Sequence, residues 1–182
     1  MPRVRPIDYN SSSPDVQAAH EEAVRRYGRV TNMKGTLLHS LPAFDALMTW
    51  YDLRDTVQPF LGERLTDLFS HAISAGTDCL ICSTYFRRTL INMGVNPDEL
   101  VLDEREQVVV EFGQCLAQSS ARVPDDLYAR LAAIFTEEQI VALTAFGAMM
   151  VATNVFNNAL NVDLDEYLTE YRRRDANPAK RT

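Results

Sequence analysis

The amino-acid sequence predicts an all-α fold, and two observations support that prediction. Apolar residues recur at spacings of three and four along nearly the whole chain, and no segment shows the sustained alternation of a half-buried strand. Serine, proline and glycine also stand where helices of ordinary length begin and end. A chain of 182 residues fits one domain, so we predict a single helical domain over residues 1–182, with flexible ends at 1–12 and 174–182.

Four helices are predicted in the first half of the chain from the residues at their boundaries. Ser13 can cap the first helix, whose first turn contains Pro14, and Gly28 ends it. Residues 29–41 are expected to be a linker, and Gly76 is expected to stop the third helix. The four predicted helices run from Pro14 to Gly28, from near Pro42 to Gln58, from about Pro59 to Ala75 and from about Asp78 to Met93.

Four further helices are predicted in the second half, and the third of these is apolar on most of its faces. Thr136 and Gln139 have the spacing of a capping box at its start. A helix with so little polar surface is expected to be buried all round, at the centre of the bundle or against another subunit. The predicted helices run from Glu104 to Gln118, from Pro124 to Phe135, from Glu137 to about Leu160 and from Asp163 to Arg173.

Two kinds of side chain are expected in the interior. Three amides on the long helix, Asn154, Asn157 and Asn158, need hydrogen-bond partners if they are buried. We expect them to fix the helix end or an intersubunit contact, with a role in lining a site as the alternative. Five aromatic residues are assigned to core packing: Trp50, Phe60, Phe69, Phe112 and Phe135.

Composition and charge limit the classes of function. A formal charge of -7, with the one basic cluster at residues 172–174, argues against a nucleic-acid partner. The polar start of the chain lacks the apolar stretch of a secretory signal, and we expect no membrane-spanning helix. Because three cysteines make a poor extracellular disulfide framework, the expected setting is the reducing cytoplasm.

The pair Cys79-x-x-Cys82 is the feature that most strongly indicates chemistry. The two sulfurs lie on one face of a predicted helix, and Cys79 is expected in its first turn, where the partial positive charge favours a thiolate. This arrangement is typical of a redox pair. The alternatives are two small buried core residues, or a zinc site, which would need further close ligands. The remaining cysteine and histidines form no second close pair: Cys115, His20, His39 and His71.

A family resemblance extends over most of the chain. The residues Asp67, Cys79, Cys82 and Gly94 stand at the spacing of the alkylhydroperoxidase D and carboxymuconolactone decarboxylase family, and the sequence around them resembles its core. The resemblance implies an all-helical bundle that assembles into homo-oligomers, commonly trimers or hexamers. Neither a cofactor nor a resident metal is expected, because the chain has no glycine-rich phosphate loop and no convincing metal-ligand set.

The thiol-peroxidase members of this family carry a proton relay that is incomplete here. They use an acidic residue twelve positions before the first cysteine and a histidine four positions after the second. Asp67 holds the acidic position, but Phe86 stands in place of the histidine. The resemblance implies that Cys82 attacks a peroxide and that Cys79 resolves the sulfenic acid as a disulfide.

His71 is a candidate for the missing base. It follows Asp67 by four residues, so both side chains are expected on one face of the third helix. On this hypothesis Asp67 orients His71, which deprotonates a cysteine directly or through water. The alternative is a partly exposed histidine that only pairs with Asp67.

The sequence therefore predicts a thiol-dependent peroxidase that reduces hydroperoxides through the Cys79–Cys82 pair, with electrons returned by a cellular dithiol reductant. Phe86 supports an alternative, a redox sensor or an inactive homo-oligomer that kept the thiols and lost the relay. A second alternative is a decarboxylase that acts on a lactone from aromatic-acid breakdown. That branch of the family does not depend on a C-x-x-C pair, so the intact pair favours the peroxidase.

Overall fold

The computed structural model describes residues 1–173, and it is all-helical over that range. The predicted flexible segment 174–182 lies outside the described residues. The α-helices are α1 (Pro14–Tyr27), α2 (Asn32–Leu37), α3 (Leu41–Met48), α4 (Trp50–Leu61), α5 (Glu63–Gly76), α6 (Leu80–Asn92), α7 (Glu104–Leu116), α8 (Asp125–Ala132) and α9 (Glu137–Leu160). Two 3-10 helices, Tyr9–Ser11 and Glu166–Tyr171, flank them. The predicted all-α class is therefore confirmed.

Several predicted boundaries are confirmed by the backbone. Gly28 ends α1 with a φ of 77°, a left-handed conformation that glycine adopts without strain. Thr136 and Gln139 form the capping box at the start of α9, because each side chain bonds the backbone N–H of the other. The last predicted helix forms as the 3-10 helix Glu166–Tyr171 rather than as an α-helix.

The region between α1 and α5 differs most from the prediction. The expected linker 29–41 contains α2, whose start is capped by the Thr31 side chain through the N–H of Lys34. The predicted second helix is two helices, α3 and α4, which meet at Thr49. Pro59 does not end α4 but lies in its last turn, and the chain turns instead at Gly62, whose φ is 81°.

Helix α5 is the centre of the main core and packs against α4, α6, α7 and α9. Its Phe69 is fully buried, with ring centroids 6.1 Å from Phe112 and 6.0 Å from Phe146. Glycine is required at two neighbouring positions, since a Cβ at Gly113 or Gly147 would lie only 3.0 Å from the Phe69 ring. This close packing holds the helix that leads into the cysteine pair.

The expectation that α9 is buried all round is wrong for the single chain. One face packs on α4 and α5, but an apolar stripe remains exposed, with Val141 at 69% and Val155 at 58% of full exposure. The stripe consists of Val141, Ala145, Ala148, Ala152 and Val155.

The expectation of no membrane-spanning helix stays a prediction. By length and composition alone, α9 is apolar enough to cross a membrane. Its packed face has the character of the core helix of a soluble protein, which passes the same test.

The N-terminal segment 1–12 makes backbone contacts with the rest of the chain. The N–H of Arg3 donates to the carbonyl of Leu160 at 2.9 Å, and the N–H of Ile7 donates to that of Gly35 at 3.0 Å. A contact does not measure motion, so the flexibility of this segment stays a prediction.

Candidate functional site

The turn between α5 and α6 carries the cysteine pair and is held by amides of α9. Asp78 has a φ of 55°, which reverses the chain direction just before Cys79. Asn154 Nδ2 donates to Thr77 Oγ1, and Asn158 Nδ2 donates to the Thr77 carbonyl, each at 2.8 Å. Two of the three asparagines singled out in the sequence thus fix the turn that presents the thiols.

The third amide, Asn157, contacts both sulfurs. Its Nδ2 lies 3.3 Å from the Sγ of Cys82 and 3.9 Å from the Sγ of Cys79. Both cysteines are buried and reduced. The prediction that Cys79 lies in the first turn is wrong by one position. It is the N-cap residue of α6, with φ −84° and ψ 103°. Asn157 is therefore a site residue, which was only the alternative interpretation of its sequence position.

The two thiols have opposite proton affinities. A hydrogen bond from the Cys82 thiol, the backbone N–H groups of Cys82 and Ile81, and the Asn157 amide together lower the pKa of Cys79 despite its burial. The pKa of Cys82 is raised well above its usual range, because its proton is shared with Cys79 and its surroundings are dry. In the singly ionised pair, the charge lies on Cys79 and the proton on Cys82.

Cys82 borders a cavity of about 220 Å³, which is the setting for any reaction at this thiol. Six aromatic side chains line it, and Trp50, assigned to core packing from the sequence, is one of them. The six are Tyr27, Trp50, Tyr51, Tyr85, Phe86 and Tyr167. Cys79 lies instead beside a separate depression next to Asn161. Only one of the two sulfurs therefore faces the aromatic cavity.

Phe86 forms part of the cavity wall. It is 3% exposed, and its ring centroid lies 6.3 Å from that of Trp50. The position that carries a histidine in the thiol-peroxidase pattern thus presents an apolar ring beside Cys82, which can neither accept nor donate a proton.

Lys34 also lines the cavity, and sequence reasoning missed it. Its side chain is buried, with Nζ 3.4 Å from the carbonyl of Arg29 and 4.3 Å and 5.2 Å from the ring centroids of Tyr27 and Tyr51. Burial lowers its pKa to about 8. No apolar pattern pointed to it, because α2 has the mixed sequence NMKGTL and was not predicted as a helix.

Asp67 is buried on α5. Burial raises the pKa of its carboxyl group, and the Thr89 hydroxyl and the charge of Arg54 oppose that shift. No hydrogen bond joins Asp67 to a cysteine within the described chain.

His71 faces a different environment from the cysteines. Burial and the nearby charge of Arg87 lower its pKa to about 4, and Asp98 opposes that shift. In residues 1–173, His71 makes no hydrogen bond to Asp67 or to a thiol, and it is not among the residues that line the cavity. The structure thus does not bring the hypothesised Asp67–His71 relay to the sulfurs, and a role for His71 stays a prediction.

The two arginines that follow Phe86 differ in their partners. Arg87 forms a bidentate ion pair with Asp98. Arg88 lines the cavity and lies 5.3 Å from the ring centroid of Tyr167. Over the described residues, no group of three or more His, Cys, Asp and Glu side chains is arranged to hold a metal ion.

Comparison with known proteins identifies similar solved structures. No family model and no curated protein matches the sequence. The debrominase Bmp8 has a TM-score of 0.75 at 17% identity, and the match covers 92% of this chain and 95% of that one. A cysteine-to-alanine variant of Bmp8 in complex with 2,3,4-tribromopyrrole has a TM-score of 0.76 at 16% identity, over 92% and 94% of the two chains.

Two uncharacterized peroxidase-related proteins are also similar. One, from Silicibacter sp. TM1040, has a TM-score of 0.73 at 16% identity over 92% of this chain and 96% of that one. The other, from Ralstonia eutropha JMP134 and described as an alkylhydroperoxidase AhpD core, has a TM-score of 0.72 at 19% identity, over 92% and 94%. At these identities the likeness establishes the fold and leaves activity to the chemistry of the site.

Proposed function

The chain has the alkylhydroperoxidase D-like fold, and from that premise we propose that it is a thiol-dependent oxidoreductase that cycles through a Cys79–Cys82 disulfide. The single observation that carries this proposal is the meeting of both sulfurs at one amide, that of Asn157, at the start of α6. One sulfur is stabilised as a thiolate, and the other faces a cavity large enough for a small substrate.

We infer that Cys79 supplies the base that Phe86 cannot. Its thiolate accepts the hydrogen bond of the Cys82 thiol, so the proton has only to move from one sulfur to the other. The transfer leaves the negative charge on Cys82, the sulfur that borders the cavity. Because the pKa of Cys82 is the higher of the two, the form with a Cys82 thiolate is the minor one. Proton transfer between the sulfurs restores it as the reaction consumes it.

For a hydroperoxide substrate, the thiolate of Cys82 attacks the outer oxygen and the O–O bond breaks. The products are a sulfenic acid on Cys82 and an alcohol, which takes up the proton held by the pair. The Cys79 thiolate then attacks the Cys82 sulfur, a disulfide forms, and the S–O bond breaks to release hydroxide, which takes a proton from solvent to become water. A cellular dithiol reductant then returns two electrons and one proton to the pair, and its second proton goes to solvent.

The hydroperoxide activity predicts a rapid, localised disulfide. We expect the reduced protein to form Cys79–Cys82 within seconds of stoichiometric cumene hydroperoxide, as detected by peptide mass spectrometry. Cys79→Ser should form a sulfenic acid on Cys82 more slowly, because the base is lost, and should retain it because no resolving thiol remains. Cys82→Ser should stay reduced because Cys79 does not line the cavity. Cys115→Ser is the matched control, because the Cys115 thiol donates to the Arg122 carbonyl and not to the cysteine pair. This variant should behave as the unaltered protein.

The outcomes of this experiment separate the candidate functions. Thiols that stay reduced for minutes would exclude a peroxidase. A disulfide that forms once, but does not turn over with excess hydroperoxide and a dithiol such as dithiothreitol, would identify a redox sensor instead of an enzyme.

A second candidate function is the reductive removal of a halogen from an aromatic ring. The six aromatic side chains around Cys82 favour it, and a solved structure with this fold is a debrominase in complex with a brominated pyrrole. In that chemistry the Cys82 sulfur takes the halogen as the ring carbon gains a proton, and Cys79 then expels halide to form the same disulfide. Bromide release from 2,3,4-tribromopyrrole, stoichiometric with disulfide, would favour this candidate over the peroxidase.

We also propose that the chain forms a homo-oligomer through the exposed stripe of α9. An uncharged row of Val and Ala side chains over about four helical turns is the surface that a second copy of the same helix can cover. The trimer or hexamer implied by the family resemblance is a specific form of this proposal.

The oligomer proposal predicts that a charge in the stripe separates the subunits. We expect Ala148→Arg to reduce the molar mass, measured by light scattering after size-exclusion chromatography, to that of one chain. Ala129→Arg, at an exposed alanine of α8, is the control and should leave the mass unchanged. A monomeric unaltered protein, or an assembly that survives Ala148→Arg, would contradict the assignment of this face.

A further inference from the structure

We propose that the cavity beside Cys82 binds an aromatic anion, with its ring among the aromatic side chains and its negative group at the ammonium of Lys34. The inference names a substrate class for the proposed oxidoreductase and rests on that function only where it treats the bound molecule as a substrate. Binding itself follows from the cavity and can be tested without any reaction.

The walls of the cavity indicate a planar ring. Tyr27 and Tyr51 are stacked with centroids 4.2 Å apart, and Trp50 meets Tyr51 edge-on at 4.8 Å. Tyr85 and Phe86 meet edge-on at 5.1 Å on the side that holds Cys82. Rings offer both faces and edges to another aromatic group, whereas hydrogen peroxide would gain nothing from them.

The charge of the cavity indicates an anion. Arg29, Lys34 and Arg88 line it, against one carboxylate, that of Asp165. This local excess of positive charge stands in a chain whose net charge is -7. Asp165 accepts the backbone N–H of Asn32 at 2.9 Å, and its charge raises the pKa of Lys34, although the two form no salt bridge in residues 1–173. Side chains of one sign around a concave site raise the local concentration of ligands of the other sign.

The three cations lie at different depths. Arg29 is exposed, Arg88 is half-buried, and Lys34 is only 4% exposed. The guanidinium groups of Arg29 and Arg88 lie 4.3 Å and 5.3 Å from the Tyr167 ring centroid. The exposure of the three cations therefore decreases from Arg29 through Arg88 to Lys34. Lys34 is the cation positioned to hold a ligand inside the cavity.

Lys34 lacks the partner that a buried charge requires. Within residues 1–173 none of the three cations forms a salt bridge, and the polar contact of Lys34 is a long one, to the Arg29 carbonyl. An unpaired buried ammonium is costly, and the faces of Tyr27 and Tyr51 compensate it only in part. A bound carboxylate or phenolate would supply the missing counter-charge.

Trp50 provides a direct measurement, because it is the only tryptophan of the chain and it lines the cavity. We expect para-nitrobenzoate, whose ring quenches indole fluorescence, to quench Trp50 in a saturable manner. Its neutral counterpart para-nitrobenzamide should bind about tenfold more weakly, since it lacks the ion pair. Acetate, an anion without a ring, should not compete at the same concentration.

The lysine is tested by Lys34→Met and, as a second variant, Lys34→Gln. Each should remove the preference for the acid over the amide while leaving amide binding unchanged, with circular dichroism as the check on folding. Equal binding of acid and amide by the unaltered protein, or an acid preference that survives both substitutions, would overturn the proposal.

Titrations of the Cys79→Ser, Cys82→Ser double variant separate this proposal from the proposed function. Acid-selective quenching in a protein without the redox pair would support the binding site whether or not the thiols react with hydroperoxide. A redox-active protein in which para-nitrobenzoate does not quench Trp50 would retain the proposed function and lose the substrate class.

Discussion

Replacing Lys34 with methionine is expected to stabilise the protein at pH 7 by about 2 to 3 kcal/mol, although the substitution removes a charged group near the candidate site. Burial lowers the pKa of this lysine from 10.5 to about 8, so the folded protein carries at pH 7 an ammonium that would be more stable in water. Methionine has a similar unbranched shape and needs no solvation.

The pH dependence of this effect has a defined sign. A lysine whose pKa is lower in the folded state costs stability below about pH 8, and the cost disappears as the pH rises toward 10.5. Asp165 acts against the shift and Arg29 adds to it, while the raised pKa values of Tyr27 and Tyr51 keep both phenols neutral in this window. The advantage of Lys34→Met should therefore be largest at pH 7 and smaller at pH 9.5.

Urea unfolding of both proteins at the two pH values measures this difference. Arg25→Met, which removes an exposed positive charge from α1, is the control and should change the free energy of unfolding by less than about 0.5 kcal/mol. A Lys34→Met protein less stable than the original at pH 7 would show that the ammonium is well compensated. A gain in stability with a loss of anion binding would show that the lysine is kept for function.

Replacing Asn157 with leucine is expected to slow formation of the Cys79–Cys82 disulfide about tenfold without loss of stability. The amide donates toward both sulfurs, and a hydrogen bond to a charged group contributes about 1.5 to 3 kcal/mol, equivalent to at least about one pKa unit. Within residues 1–173 its Oδ1 atom is buried without a hydrogen-bond partner, so leucine removes an unsatisfied group as well as a donor.

The measurement is the rate of iodoacetamide alkylation as a function of pH, together with the rate of oxidation by hydroperoxide. Asn157→Leu should move the alkylation midpoint to higher pH, as expected for a thiol whose thiolate has lost a donor. Asn158→Leu is the control, because this amide donates to the Thr77 carbonyl and to neither sulfur. Its effect shows how much of any change comes from weakening the turn rather than from the ionisation of the thiols. Equal rates in the two variants would refute a role for Asn157 in ionisation.

Local signals predicted the fold and the position of the thiols well. Gly28 and the Thr136–Gln139 box depend only on neighbouring residues, and their geometry is as predicted. The start of a helix at Cys79 and Cys82 was also predicted from neighbouring residues, since Gly76 marks the end of the helix before it. Asn157 was weighed as a site residue because an amide on an apolar helix must find partners, although its partners could not be named.

The cavity could not be predicted, because chain segments distant in sequence form it. Lys34 comes from α2, Trp50 from α4, Cys82 from α6 and Tyr167 from the last 3-10 helix. Helix α2 has only six residues, too short for an apolar period to be recognised, and without it Lys34 had no predicted surroundings. Spacing alone likewise put Asp67 and His71 on one face, but it could not show that His71 is influenced by Arg87 and Asp98.

The N-cap position of Cys79 bears on the redox equilibrium of the pair. In the reduced protein, the first N–H groups of α6 and the Asn157 amide stabilise a sulfur anion, and a disulfide carries no charge for them to stabilise. Selective stabilisation of the dithiol raises the reduction potential, so the oxidised protein should be a ready electron acceptor. Oxidation of the pair is then the thermodynamically less favourable half of the cycle. A cellular dithiol that is only a weak reductant should be sufficient to reduce the disulfide.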